Sequence, residues 1–230
     1  MMEEESAKEI DEETSGELSR KSERNTVIAL GVIILLTVLF VVAKYAYKPE
    51  QVTIDGLLKQ ALDGKLDEDE GFVYHGFPFV FDAAMNSWVT QVQLGDTLVQ
   101  IPLHYSPRDV GNVSVVGLTG KSFEQRRVFI TFDPNSTQMQ YIALSAAELG
   151  LNLAKGVNAE PIAACTTNET ACYGRPIVTC NNTNYPVIYL KIADSTRIIQ
   201  KDNCVTIQGD GWDLVRAVDR FILKWYQVMP

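Results

Sequence analysis

Hydrophobic and polar positions divide the chain into stretches with different patterns. Residues 1–25 contain almost no large apolar side chain, residues 26–43 carry no charge, and the chain from residue 71 onward alternates short apolar runs with turns. A polar, highly charged stretch cannot bury enough apolar surface to offset the entropy lost on ordering. We therefore predict a disordered, acidic cytoplasmic tail over residues 1–25.

The uncharged stretch reads TVIALGVIILLTVLFVVA. As a helix it would cover about 27 Å, and Lys44–Lys48 add aromatic and cationic side chains that suit the headgroup region. A cleavable signal peptide is the main alternative, but it has a shorter apolar run and a small-residue cleavage site. We predict a transmembrane signal-anchor helix over residues 26–47, in contact with the lipid bilayer, and a linker over residues 48–70.

The orientation of this helix is predicted from the residues around it. Arg20, Lys21 and Arg24 precede the apolar stretch, whereas Lys44 and Lys48 follow it, and basic residues favour the cytoplasmic side. All four cysteines and four glycosylation sequons lie on the C-terminal side. The prediction is a single-pass protein of the cell membrane, with its N-terminus in the cytoplasm and its C-terminal domain outside.

The first part of the outer domain, from Phe72 to Val116, has the pattern of an antiparallel β meander. Residues 88–94 alternate apolar and polar side chains, and Gly95-Asp96 provide a turn into the next run, residues 98–101. Pro102 marks an edge strand or the end of a strand.

The second part predicts a strand-helix-strand unit and a C-terminal strands-helix unit. Apolar spacing favours a helix over residues 136–155, with Gly156 as its C-terminal stop, and a second helix over residues 211–227. The predicted strands are residues 128–132, 159–164, 187–192, 196–200 and 204–208. Together with the meander, these elements predict an α+β domain over residues 71–230.

Composition excludes one class of partner. The net charge is −9, and residues 1–25 contribute −5 through nine acidic and four basic side chains. A nucleic-acid-binding protein needs a basic face that neutralises phosphates. We therefore predict no nucleic acid as a partner.

Four cysteines lie in the outer domain at Cys165, Cys172, Cys180 and Cys204. Their number is even and the predicted compartment is oxidising, so disulfide bonds are the natural interpretation. Four cysteines allow three pairings, and we favour Cys165 with Cys172 and Cys180 with Cys204. Zinc binding would favour two close Cys-x2-4-Cys pairs, which the sequence lacks.

The outer domain also contains four Asn-x-Ser/Thr sequons, at Asn112, Asn135, Asn168 and Asn181. We predict N-glycosylation at these positions. Asn135 has another interpretation, because Asp133-Pro134-Asn135-Ser136 is also a typical helix start.

No catalytic motif stands out. The chain has two histidines, His75 and His104, each inside an aromatic, strand-like stretch, and no Gly-x-Ser-x-Gly motif. We predict no catalytic residue, no metal site and no cofactor. An extracytoplasmic hydrolase with a site near these two histidines is the alternative.

Several segments resemble an uncharacterised family of archaeal single-pass membrane proteins with a cysteine-containing extracytoplasmic domain. The segments are GFPFVFDAAMNSWVTQVQLGDTLVQIPLHYSP, VFITFDP, AACT, IVTC, VIYLK, NCVTIQG and DLVRAVDRFILK. They cover most of residues 71–230. The resemblance implies an archaeal cell-surface location, and its motifs are structural rather than catalytic.

These observations predict a non-catalytic binding or structural role at the cell envelope. A surface-layer or secretion-associated protein is the expected kind of partner. A second alternative is a surface receptor that signals through the acidic tail.

Overall fold

The computed structural model describes Ile28 and residues 30–44, 53–117, 125–156 and 159–230. The predicted disordered tail, residues 1–25, lies outside the described residues. The chain divides into two compact units, Met1–Gln51 and Val52–Pro230.

The first unit contains one described helix, α1, which comprises Ile28 and residues 30–44. Its apolar side chains are exposed. Within the described part of the chain, no helix is long and apolar enough to cross a membrane, so the prediction of a transmembrane helix over residues 26–47 is wrong. The longest described run of this helix, residues 30–44, rises by about 22 Å, whereas a bilayer core is roughly 30 Å thick. Residues 26, 27, 29 and 45–47 of the predicted span lie outside the described residues.

The second unit begins with the helix α2 and a four-stranded antiparallel sheet, called sheet 1. Its strands follow one another in space as they do in sequence, so residues 71–103 form the predicted meander. The prediction also included Ser114–Val116, and this part is wrong, because that strand pairs in parallel with Arg197–Lys201 in the second sheet. The elements are α2 (Ile54–Leu62), β1 (Gly71–Tyr74), β2 (Phe77–Asp82), β3 (Ser87–Leu94) and β4 (Thr97–Leu103).

A second sheet, called sheet 2, has six strands in the order β5-β9-β10-β8-β6-β7. All neighbouring pairs are parallel except β9 with β10. The remaining elements are α3 (Pro107–Val110), β5 (Ser114–Val116), β6 (Arg127–Phe132), α4 (Met139–Gly156), β7 (Glu160–Cys165), β8 (Val187–Ile192), β9 (Arg197–Lys201), β10 (Cys204–Gly209) and α5 (Trp212–Trp225).

The helices α4 and α5 pack against sheet 2 and against each other, and α4 also contacts β4 of sheet 1. One apolar core contains residues of both sheets and both helices, among them Phe79, Leu149, Ile188 and Phe221. On its outer face, sheet 1 packs against α2 through Val80 and Val89, among other residues. Because α5 has apolar neighbours on nearly every side, almost all of its central residues are buried.

The α+β class and the order of helices and strands agree with the sequence prediction. The start of α4 differs by three residues: it begins at Met139, because Asp133–Ser136 form a turn in which Ser136 N donates to Asp133 O. In this turn Asp133 Oδ1 accepts from Asn135 N at 2.9 Å. The aspartate therefore stabilises a turn rather than the first turn of the helix.

Candidate functional site

The end of β4 is held by two carboxyl groups from the helix layer. After Leu103 the chain leaves sheet 1, so the next backbone N–H groups need other acceptors. Glu148 Oε1 accepts from His104 N at 3.2 Å, and Asp219 Oδ2 accepts from Tyr105 N at 2.7 Å. Glu148 belongs to α4 and Asp219 to α5. We call Glu148 and Asp219 the carboxyl pair.

His104 also bonds to Glu148 through its ring. Its Nδ1 lies 3.0 Å from Glu148 Oε2, and the side chains are 30% and 6% exposed, respectively. The hydrogen bond to Glu148 raises the pKa of His104 above its ordinary value, and burial acts against that rise. A protonated His104 would donate through Nδ1 to the glutamate while Nε2 remains available as a second donor.

Asp219 is completely buried. Burial raises its pKa well above the ordinary value, and the neighbouring Glu148 raises it further. Its Oδ1 has no hydrogen-bond donor among the described residues. A proton held between the two carboxyl groups would satisfy Oδ1, because a protonated Asp219 could donate to Glu148. Asp219, Glu148 and His104 thus form one cluster that extends from the core to the partly exposed imidazole.

Aromatic rings lie beside His104, where the cluster of His104, Glu148 and Asp219 reaches the surface. The His104 and Trp212 ring centroids are 6.1 Å apart, and Tyr141 contacts Trp212 edge to face at 5.4 Å. Trp212 is 49% exposed although it belongs to a helix that is otherwise mostly buried. A half-exposed indole beside a histidine is a surface that can bind a ligand.

The local fold places Trp212 at the carboxyl edge of the parallel strands of sheet 2. Gly209 ends β10, and Gly211 has a φ of 54°, which favours glycine at the entry to α5. Gln138 lies just before α4 and joins the two helix starts: its Oε1 accepts from Gly211 N at 2.7 Å, and its Nε2 donates to Asp210 Oδ1. We call His104, Gln138, Tyr141, Asp210 and Trp212 the Trp212 site. Crevices at the carboxyl ends of parallel strands are common ligand sites.

The structure does not bring the two histidines together. His75 lies in the turn after β1, with a φ of 49° and its ring 4.1 Å from that of Tyr74. His104 follows β4, and β1 and β4 are the two outer strands of sheet 1. Three steps between strands, about 14 Å, separate β1 from β4, and the two histidines follow strands that end at opposite ends of the sheet. The Trp212 site includes only His104.

The cysteines form two disulfide bonds, which confirms the prediction of disulfides. Cys165 is bonded to Cys172 and Cys180 to Cys204, as the sequence analysis favours. The first bond closes the loop after β7, and the second joins the following loop to the start of β10. Val178, in that loop, is buried against the outer face of sheet 2 in a small core that includes Val187.

All four sequon asparagines are exposed. Asn112 Oδ1 accepts from Arg216 Nη2 at 2.8 Å, and Asn135 Nδ2 donates to Glu169 at 3.4 Å. Exposure is necessary for glycosylation, and glycosylation of these residues stays a prediction.

Among the described residues, no group of three or more histidine, cysteine, aspartate or glutamate side chains is placed to hold a metal ion. No protein-family model, no curated protein and no solved structure matches this chain. The resemblance to an archaeal family therefore stays a prediction.

Sequence reasoning missed Glu148, Asp219 and Trp212. One signal was present: Asp219 interrupts the apolar face of α5 between Val218 and Ile222. A carboxyl group within an apolar stripe indicates a buried acid. Glu148 has no such signal, because glutamate is common on exposed helix faces.

Proposed function

We propose that residues 53–230 form a non-catalytic binding domain outside the cytoplasm whose ligand is a glycan of the cell envelope. The observation that carries this proposal is the half-exposed Trp212 beside His104. An indole face packs well against the C–H face of a sugar ring. Polar groups around it, from Asp210 and Gln138, would accept and donate hydrogen bonds to hydroxyl groups.

The location is supported by the disulfide bonds. Two disulfides persist in an oxidising compartment rather than in the cytoplasm. The four exposed sequons agree with that environment. This support does not depend on a membrane-spanning helix.

The test is binding of the full chain to an array of neutral and acidic oligosaccharides, followed by titration calorimetry with the strongest binder. Trp212→Ala should weaken binding by about tenfold or more, because stacking on the indole is lost. Tyr173→Ala is the matched control, since Tyr173 is a 93% exposed aromatic residue that directly follows the loop closed by the Cys165–Cys172 disulfide. Equal binding by the two variants, or no binding of any oligosaccharide at about 1 mM, would contradict the proposal.

A hydrolase is the second candidate, and one observation favours it: His104 bonds to the buried Glu148. A histidine held by a carboxylate can exchange protons with a substrate. In that case, incubation of the full chain with a bound oligosaccharide should release products, and His104→Gln should abolish release while binding persists. Unchanged oligosaccharide after prolonged incubation would favour the binding domain.

A further inference from the structure

A groove lies along the exposed half of β4, in a different part of the domain from the Trp212 site. Its volume is about 600 Å³, and it is lined by Asp55, Gln91, Leu98, Val99, Gln100 and Lys155. These residues come from α2, β3, β4 and the end of α4. The groove therefore joins the outer face of sheet 1 to its β4 edge.

Among the described residues, no strand pairs with the outer edge of β4, and this edge has two halves with different surroundings. Ile101 and Leu103 are buried, and α4 covers this half, where Asn152 Nδ2 donates to Pro102 O at 3.3 Å. Residues 97–100 are exposed or half-buried, and the side chain of Leu98 is 60% exposed. The exposed half would extend about 13 Å.

This exposed half lacks the features that usually prevent another strand from pairing. Exposed edges normally carry a lysine, a proline or a bulge. Residues 97–100 are Thr-Leu-Val-Gln, and their pairing with β3 runs without a bulge. An uncharged, regular edge beside a groove is a template for an added strand.

The groove walls are already ordered. Asp55 Oδ1 accepts from Gln91 Nε2 at 2.7 Å and from Gln100 Nε2 at 3.0 Å. The two amides donate to the charged aspartate, and these bonds hold both glutamine side chains in place. Lys155 supplies the positive charge among the lining residues, and it takes part in none of the ion pairs formed by the described residues.

We propose that the β4 edge binds an extended peptide segment of another protein by strand addition, with a carboxylate side chain of that segment paired to Lys155. The backbone of residues 97–100 provides the hydrogen bonds, and Leu98 provides an apolar contact. A second copy of this chain is a poorer partner, because each copy carries a net charge of −9.

The test measures binding of seven-residue peptides to the full-length chain. The peptides are acetylated and amidated and alternate valine and threonine, and each has one residue replaced by Asp, Asn or Lys. Fluorescence polarisation should show that the best Asp peptide binds about tenfold or more tightly than its Lys counterpart. Lys155→Gln should remove this preference. No binding up to about 1 mM, or equal binding of Asp and Lys peptides, would overturn the proposal.

In strand addition, every second N–H group of the peptide pairs with the neighbouring strand, and N-methylation of the peptide can detect this pattern. Methyl groups on alternate amides should abolish binding, and methyl groups on the amides between them should have little effect, because only every second N–H pairs with β4. An equal effect at every position would exclude strand addition.

Leu98→Lys should block the edge, whereas Met85→Lys is the matched control. Met85 is 59% exposed and lies in the turn that joins β2 and β3 of the same sheet. Circular dichroism would verify that both variants are folded. If sedimentation instead showed a wild-type dimer that Leu98→Lys dissociates, the edge would pair with a second copy, and the peptide proposal would be wrong.

Discussion

Glu148 holds His104 at two points. One carboxylate oxygen accepts from the backbone N–H at 3.2 Å, and the other lies 3.0 Å from the ring Nδ1. Asp219 holds the next residue through a single hydrogen bond, which Tyr105 N donates at 2.7 Å. The two acids therefore fix the end of β4 against α4 and α5, and Glu148 bonds to the partly exposed His104 while it neighbours the buried Asp219.

The bond to Glu148 predicts a change in the titration of His104. In Glu148→Gln the charged hydrogen-bond acceptor is lost while the burial remains, so the pKa of His104 should fall relative to the wild type. Two-dimensional NMR of the imidazole ring across about pH 5–9 measures it. His75→Gln, which leaves one histidine signal, assigns the resonance. An unchanged pKa in Glu148→Gln would show that Glu148 does not control the protonation of His104.

Asp219 predicts a pH dependence of stability. Its pKa is raised above 3.8 by burial and then by Glu148, so the folded state binds a proton that the unfolded state releases. The stability contributed by this proton is complete below pH 3.8 and decreases as the pH rises through the folded pKa. Asp219→Asn retains both an acceptor for Tyr105 N and a donor to Glu148, so the decline of the melting temperature as the pH rises from about 5 through the folded pKa of Asp219 should become shallower.

Asp63→Asn is the control for that experiment. Its hydrogen bond to Lys65 lowers the pKa of the exposed Asp63 below 3.8, so it is ionised in both states throughout the measured range. Replacement of Asp63 should leave the decline of the melting temperature with pH unchanged. A slope in Asp219→Asn equal to that of the wild type would mean that Asp219 holds no proton.

Two glycines should respond to alanine in opposite directions. A Cβ on Gly150 in α4 meets nothing within 4 Å, whereas a Cβ on Gly209 would lie 2.5 Å from Leu214 N. Gly150→Ala should raise the free energy of unfolding by about 0.5–1 kcal/mol, because alanine loses less entropy in a helix. Gly209→Ala should lower it, because backbone atoms cannot move as a flexible side chain can. Urea denaturation measures both, and destabilisation by Gly150→Ala would contradict this description of α4.

The two disulfide bonds should differ in their contribution to stability. Their sequence separations are 7 and 24 residues. Loop-closure entropy gives about 2.4 kcal/mol for the shorter loop and about 3.4 kcal/mol for the longer one. The melting temperature should therefore fall further in Cys180→Ser/Cys204→Ser than in Cys165→Ser/Cys172→Ser. The reverse order would show that packing of the buried Cys165 and Cys172 outweighs loop entropy.

The sequons predict a mass difference. Protein purified from its native cells should carry glycans at the exposed Asn112, Asn135, Asn168 and Asn181. Peptide mass spectrometry before and after removal of N-glycans by a glycosidase or by chemical deglycosylation would detect them. Unmodified asparagine at all four positions would weaken the support for a location outside the cytoplasm.

The strands of sheet 1 are predictable from local pattern, because they pair with sequence neighbours through short turns. β3 shows this directly: Trp88–Leu94 alternates in the sequence and pairs residue by residue with β4. The strand order of sheet 2 is not predictable in this way. β5 lies beside β9, and β8 lies between β10 and β6, so these contacts join residues that are far apart in the chain.

The helix α4 shows why the burial of Glu148 could not be predicted from the sequence. Apolar spacing predicts a buried face with Ile142, Leu149 and Leu153, and these residues are buried. The structure also buries Glu148 and Asn152, because β4 and α5 pack against a second side of the helix. A polar residue on a helix has the same local pattern whether it faces water or a neighbouring strand end.

The sequence by itself determined the α+β class, the meander, the two long helices and the disulfide bonds, because each depends on local spacing or on chemistry available within one segment. Only the tertiary structure decided the clustering of Asp219, Glu148 and His104, the position of Trp212 and the exposure of the β4 edge. Each of these depends on which distant segments become neighbours, and long-range packing determines that.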